Sequence, residues 1–185
     1  MSFGFESDWI EDDLSGEASD FEGFVTEPGL YHMEVIEPPK RNEDGTKLEV
    51  KARVLAGSAT GQKGKQTVLK YFLPSLEKPE MAQGNKKNLS FVMLALDLIS
   101  PGSKQLKDES AVGRQFLVKL KDREHNGNTY VDPVKFSTFH VDDPRGKDVP
   151  KCKASIDRLP ANLRHPAEYF PGQKPASQQD DVDSL

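Results

Sequence analysis

Thr46-Lys47-Leu48-Glu49-Val50-Lys51-Ala52-Arg53-Val54-Leu55-Ala56 alternates apolar and charged side chains almost without a break. Leu48, Val50, Ala52 and Val54 share one face, and Lys47, Glu49, Lys51 and Arg53 share the other. That two-residue period predicts a strand with one buried and one wet face. Just upstream, Asn42-Glu43-Asp44-Gly45 carries the Asp-Gly pair of a tight hairpin,. Before it, residues 30–37 predict a partner strand, with Tyr31, Met33 and Val35 alternating with His32 and Glu34 until Pro38-Pro39 ends the ladder,. Downstream, a loop with glycines at 57, 61 and 64 leads into a third strand over residues 66–73, closed by Pro74. There Leu69, Tyr71 and Leu73 oppose Val68, Lys70 and Phe72, so that strand is expected to be covered on both faces.

Farther out the period changes. Leu89, Val92, Met93, Leu96 and Ile99 predict a largely buried helix over residues 88–99, with Asn85 or Asn88 as its cap and Ser100-Pro101-Gly102 as its stop,. Alternation returns over residues 113–121, with Phe116, Val118 and Leu120 on one face and Leu117, Lys119 and Lys121 on the other. An Asn126-Gly127 turn then leads to a fifth strand over residues 129–141, which Pro133 marks as an edge or a bulge,. Three strands, a helix and two strands make the expected fold class all-β with one helix. The order is that of a five-stranded OB-like barrel, its helix between strands 3 and 4.

The chain has 185 residues and a net charge of −5. Residues 1–31 hold nine acids and no Lys or Arg, and residues 159–185 have a net charge of −2, which leaves +6 for residues 32–158. The expected organisation is an acidic flexible arm over residues 1–24, a barrel domain over 25–158 and an acidic flexible tail over 159–185. A basic domain between acidic ends points to a nucleic-acid partner; the plainer alternative is fluctuation in a mixed surface. Cys152 is the single cysteine, which excludes an intrachain disulfide and suits a reducing compartment,. No apolar run reaches the roughly 18 residues of a membrane span. The N-terminus lacks the positive start and apolar run of a secretion signal. The expected location is the cytoplasm, the host's if the protein is viral, with no membrane partner.

Gly29-Leu30-Tyr31, the Gly45 turn, the strand over residues 48–54, the glycines 57, 61 and 64, and Val112-Gly113-Arg114-Gln115-Phe116 with the hairpin into Tyr130 together resemble a phage-encoded family of OB-fold single-stranded-DNA-binding proteins. The resemblance spans roughly residues 28–141. It implies a protein of phage DNA replication or recombination. The C-terminal end, Asp180-Asp181-Val182-Asp183-Ser184-Leu185, is similar to the acidic tips by which such proteins dock partners. That implies a partner-binding role for Asp180, Asp181, Asp183 and Leu185, although Leu185 stands where phenylalanine is usual.

Non-specific single-strand binding needs cations along the phosphates and aromatic faces under the bases. Arg41, Lys51, Arg53, Lys63, Lys65, Lys70 and Phe72 are the candidates on strands 2 and 3 and their loops. Lys119, Lys121, Arg123, Tyr130, Lys135 and Phe139 form a second group. For a single lysine the plainer reading is a solvated strand face, and for Phe72 a core position. Lys86 and Lys87 sit at the expected helix start, where the macrodipole disfavours cations. They mark either a phosphate contact or a helix that starts elsewhere.

Enzyme signals fail. Gly64-Lys65 is followed by Gln66, so no phosphate-binding P-loop forms,. His32, His125, His140 and His165 have no metal-ligand spacing with Cys152. Cys152 between Lys151 and Lys153 has no base beside it in sequence. No catalytic residue, metal or cofactor is expected. The competing expectation is a protein–protein adaptor or inhibitor acting through the acidic aromatic arm, with Trp9, Phe21 and Phe24 as its surface.

Overall fold

The computed structural model describes residues 21–164 except 101, 104, 108 and 109. The elements run β1 (Gly29–Val35), β2 (Lys40–Arg41), β3 (Lys47–Gly57), β4 (Gln66–Phe72), α1 (Pro79–Ala95), β5 (Gln115–His125), β6 (Asn128–His140) and a short α2 (Lys153–Asp157), with 3-10 turns at Pro144–Gly146 and Ala161–Leu163. The protein is mostly β with one main helix. Its six strands form one antiparallel sheet in the order β2-β3-β1-β5-β6, with β4 on the other edge of β3. The sixth strand, absent from the sequence reading, is Lys40–Arg41. It resumes pairing with β3 after Pro38-Pro39 breaks the ladder,.

The alternation of β3 survives intact. Val50, Ala52 and Val54 are buried with Tyr31, Met33, Val35, Leu69, Tyr71, Phe116, Val118 and Leu120 in one apolar core. Tyr31 lies so close over Gly57 that a Cβ there would strike the ring, and its hydroxyl donates to the Glu27 carbonyl at 2.7 Å. The ladder is open between β4 and β6. That seam is bridged by side chains instead: the Tyr71 and Thr138 hydroxyls hydrogen-bond at 3.0 Å, fully buried. Burial raises the Tyr71 phenol far above its ordinary range, so it stays neutral,.

Two expectations shift. The helix begins at Pro79, not near residue 88. Proline suits a first helical turn because its missing N–H would be unpaired there anyway,. The largely polar stretch 80–88, apolar only at Met81 and Ala82, hid this start. Asn85 and Asn88 are therefore buried within α1 rather than capping it, and Lys86 and Lys87 sit on exposed mid-helix positions, clear of the N-terminal dipole. Strand 3 is covered on one face only, because Lys70 and Phe72 are exposed. Residues flanking 25–158 also make contacts with the sheet. Gln66 N–H donates to the Gly23 carbonyl at 2.9 Å. At the other end Leu159 packs with Leu30, Leu117, Phe139, Val141 and Val149.

That second apolar cluster lies on the outer face of β1 and β5. Polar clamps fasten the C-terminal segment over it. His32, fully buried, donates from Nε2 to Gln115 Oε1 at 2.9 Å and accepts the Cys152 N–H at Nδ1 at 3.0 Å. Gln115 Nε2 donates to the Ser155 carbonyl at 2.8 Å, and His140 Nε2 donates to the Leu163 carbonyl at 2.7 Å.

Candidate nucleic-acid interface

With β1 and β5 covered, the open outer face belongs to β3 and β4. Register sets its rows: Lys47 opposite Phe72, Glu49 opposite Lys70, Lys51 opposite Val68 and Arg53 opposite Gln66. Phe72 is 52 % exposed, which overturns its reading as a core residue. The Lys47 ammonium stands 4.9 Å from the centre of its ring. Lys40, opposite Glu49, extends the face across β2. Arg41 stands opposite Leu48, which packs against the core, so register puts Arg41 on the other side of the sheet.

The remaining cations of this face are tied to carboxylates. Arg53 Nη2 reaches Glu34 Oε1 at 2.6 Å, Lys70 Nζ lies 3.4 Å from Glu49 Oε1, and Lys51 pairs with Glu37. All are exposed or half-buried. Such pairs contribute at most about 1 kcal/mol each.

Arg53 also borders a cleft of about 1080 Å³ between the outer sheet face and α2. Lys63, Arg114, Arg158 and Cys152 line it with Glu22 and Glu34. Arg114 is held by Asp97, at 2.7 Å. Lys65 in the same glycine loop is half-buried and does not line the cleft. Hydrogen bonds from Ser155, side chain first and backbone second, pull the Cys152 thiol below its ordinary value. Among the described residues no group of three His, Cys, Asp or Glu is placed to hold a metal ion. No helix among them is long and apolar enough to cross a membrane.

The second group of sequence candidates separates into three places. Lys119, Lys121, Arg123 and Tyr130 lie along the ribbon of β5 and β6, where residues 121–130 are all exposed. Arg123 covers Tyr130 at 5.2 Å and pairs with Asp132 at 2.5 Å. Phe139 is half-buried in the outer cluster. Lys135 sits elsewhere, over α1 beside Phe136, and Gly84 leaves room for its ammonium.

Phe136, Phe91 and Arg145 were missed by the sequence reading. Lys135 and Lys87 stand 5.4 and 5.9 Å from the Phe136 ring centre, Phe91 meets that ring edge-on at 6.1 Å, and Arg145 stands 4.9 Å from Phe91 and 5.0 Å from Phe139. The only forewarning was Pro133, which marked a bulge close by. Trp9 and the tip residues Asp180, Asp181, Asp183 and Leu185 lie outside the described residues, whereas Phe21 and Phe24 are exposed and meet edge-on at 5.1 Å.

No protein-family model matches the chain, and no curated protein matches it.

Proposed function

We propose that this chain binds single-stranded DNA non-specifically across the outer face of β3 and β4, as part of phage DNA replication or recombination. The observation that carries the reading is the row Lys47, Lys51, Arg53 and Lys70 beside an exposed Phe72. Cations to follow phosphates and a ring to stack a base are the two ingredients such binding needs. The order β4-β3-β1-β5-β6, with a helix between β4 and β5, suits a five-stranded OB-type barrel whose closing seam is Tyr71 against Thr138,. Glu34, Glu37 and Glu49 hold the cations until phosphates replace them, and screened surface pairs yield at little cost. Lys63 extends the track into the cleft. The acidic tail, tethered at high local concentration, competes for the same cations, and its tip with Asp180, Asp181, Asp183 and Leu185 docks replication or recombination proteins. Binding proceeds without catalysis, metal or cofactor.

Fluorescence anisotropy of labelled oligo-dT at low and moderate salt, with a duplex competitor, tests this reading. Tight, salt-steep binding that duplex does not compete away is expected, because each neutralised phosphate releases a counterion. Deleting residues 176–185 should tighten binding at low salt. Absence of binding even after both acidic ends are removed would move the function to the adaptor reading. Phe21 and Phe24, exposed beside the start of β4, keep that reading alive.

A further inference from the structure

Among the described residues, three that are not glycine have backbones in the left-handed region: Asp97, Asn126 and Phe136. Asp and Asn tolerate it, and Asn126 does so in an Asn-Gly hairpin turn. Phe136, at φ 60°, has no such excuse. A bulky residue there is a true outlier, costing on the order of 1–3 kcal/mol. The strain arises in a wide bulge, where residues 134–137 of β6 stand opposite Lys119 alone. It is held by one bond: Phe136 N–H donates to Asn88 Oδ1 at 2.7 Å, and Asn88 is buried in α1.

The strained backbone does not serve core burial, since the Phe136 ring is 38 % exposed. It presents the ring between the ammonium groups of Lys87 and Lys135. Among the described residues neither lysine has an ion pair, in contrast to Lys51, Arg53 and Lys70. A ring flanked by two cations that no carboxylate holds, Lys135 reaching only the neutral Asn85 Oδ1 at 3.4 Å, is suited to an anion with a flat apolar part. A nucleotide of a single strand is such a ligand; a duplex hides its base faces.

We propose that Phe136 is a stacking platform for a further nucleotide of the bound single strand, with Lys87 and Lys135 taking its flanking phosphates. This rests on the single-strand-binding reading and adds a second contact region, on α1 and β6 rather than β3 and β4.

The test measures oligo-dT binding by the full chain over a series of lengths, together with thermal unfolding. Phe136→Ala should weaken long oligonucleotides about tenfold, one stacked base's worth, and leave the shortest binding length unchanged. Phe136→Trp should restore the loss. Lys87→Ala with Lys135→Ala removes no apolar core side chain, only the long Lys135–Asn85 hydrogen bond of 3.4 Å, and should lower the slope of log affinity against log salt by about 1.4 in magnitude, roughly 0.7 for each phosphate contact. If the wild type binds and all these variants match it at every length, the platform is overturned and the β3–β4 reading stands. If the wild type binds no oligonucleotide, both fall together. A Phe136→Ala variant that melts early while the lysine pair changes nothing would make the ring merely structural.

Discussion

The outer face of β3 and β4 and the surface around Phe136 use the same side-chain types in different balance. On the first, three of the cations meet a carboxylate from a neighbouring strand or its end, and Lys47 alone meets a ring. On the second every cation meets a ring: Lys87 and Lys135 at Phe136, and Arg145, which also pairs with Asp143 at 2.5 Å, between Phe91 and Phe139. The difference follows from how each surface is made. A regular ladder sets opposite charges side by side at a gain of tenths of a kcal/mol per pair, and its backbone is relaxed. The Phe136 surface is assembled from a helix, a bulge and the turn after β6, and one strained residue fixes its geometry.

The heaviest blow to that contrast would fall on Asn88. Asn88→Ala removes the acceptor of the part-buried Phe136 N–H, which costs about 1 kcal/mol, a shift of roughly 2–4 °C in melting temperature per kcal/mol for a chain of this size. Asn88→Asp keeps the acceptor oxygen and should recover part of the loss. A melting curve for Asn88→Ala that overlays the wild type would mean the strain is supported elsewhere. The β3–β4 face is held mainly by its ladder, with the Lys47 N–H donated to Asn42 Oδ1 at 2.8 Å as a side-chain-held exception.

Next in size is a gain. Replacing Glu34, Glu37 and Glu49 together by Gln frees Arg53, Lys51 and Lys70. Affinity for oligo-dT at low salt should rise several-fold and its salt dependence steepen, while stability changes by no more than about 1 kcal/mol per pair. Unchanged affinity in anisotropy titrations would remove these cations from the phosphate track. The Phe136 surface offers no equivalent experiment, since no carboxylate restrains Lys87 or Lys135 among the described residues.

How much of this the sequence carried depends on how local its causes are. Strict alternation in β3, the Asp44-Gly45 and Asn126-Gly127 turns and the position of the helix between strands were legible, because each follows from a short run of residues. So were the outward Lys51, Arg53 and Lys70. The bulge was announced only as one alternative at Pro133, and the strain inside it was not legible: Val134-Lys135-Phe136-Ser137 reads as ordinary strand, and the Phe136 N–H is held by an asparagine some fifty positions earlier. Nor was the C-terminal cover legible. Its anchor, His32, looked like an outward residue of β1, and its partner at Cys152 lies 120 positions away.

That cover borders both surfaces, through α2 beside Arg53 and through Arg145 at Phe91, so pH can separate them. Burial lowers the His32 pKa below its ordinary 6.5, with Gln115 opposing and Lys151 adding to the shift. The ring is neutral in the fold, and Nδ1 accepts the Cys152 N–H; a proton there would set two donors face to face. The unfolded chain binds that proton more readily. Stability is therefore full above pH 6.5 and falls as pH drops from 6.5 toward the lower folded value,. Melting temperature followed across this range should decline in the wild type and less so in His32→Gln. Equal slopes would assign the acid sensitivity to other groups.

The smallest expected effect belongs to Tyr130, one of the aromatic candidates in the second sequence group. The ring is 45 % exposed, more than Phe136, and exposure alone would rank it higher. Its surroundings reverse the order. Arg123 covers the ring and is itself fixed by Asp132, so a base would have to displace a guanidinium that is already paired. The backbone of the ribbon is unstrained at this position, and nothing buried depends on the side chain. Tyr130→Ala should change oligo-dT affinity by less than about twofold and stability by less than about 0.5 kcal/mol. A tenfold loss at Tyr130 with none at Phe136 would invert the comparison: the single strand would then run along the exposed ribbon of β5 and β6, Lys119 and Lys121 would become its phosphate contacts, and the strain at Phe136 would need another explanation.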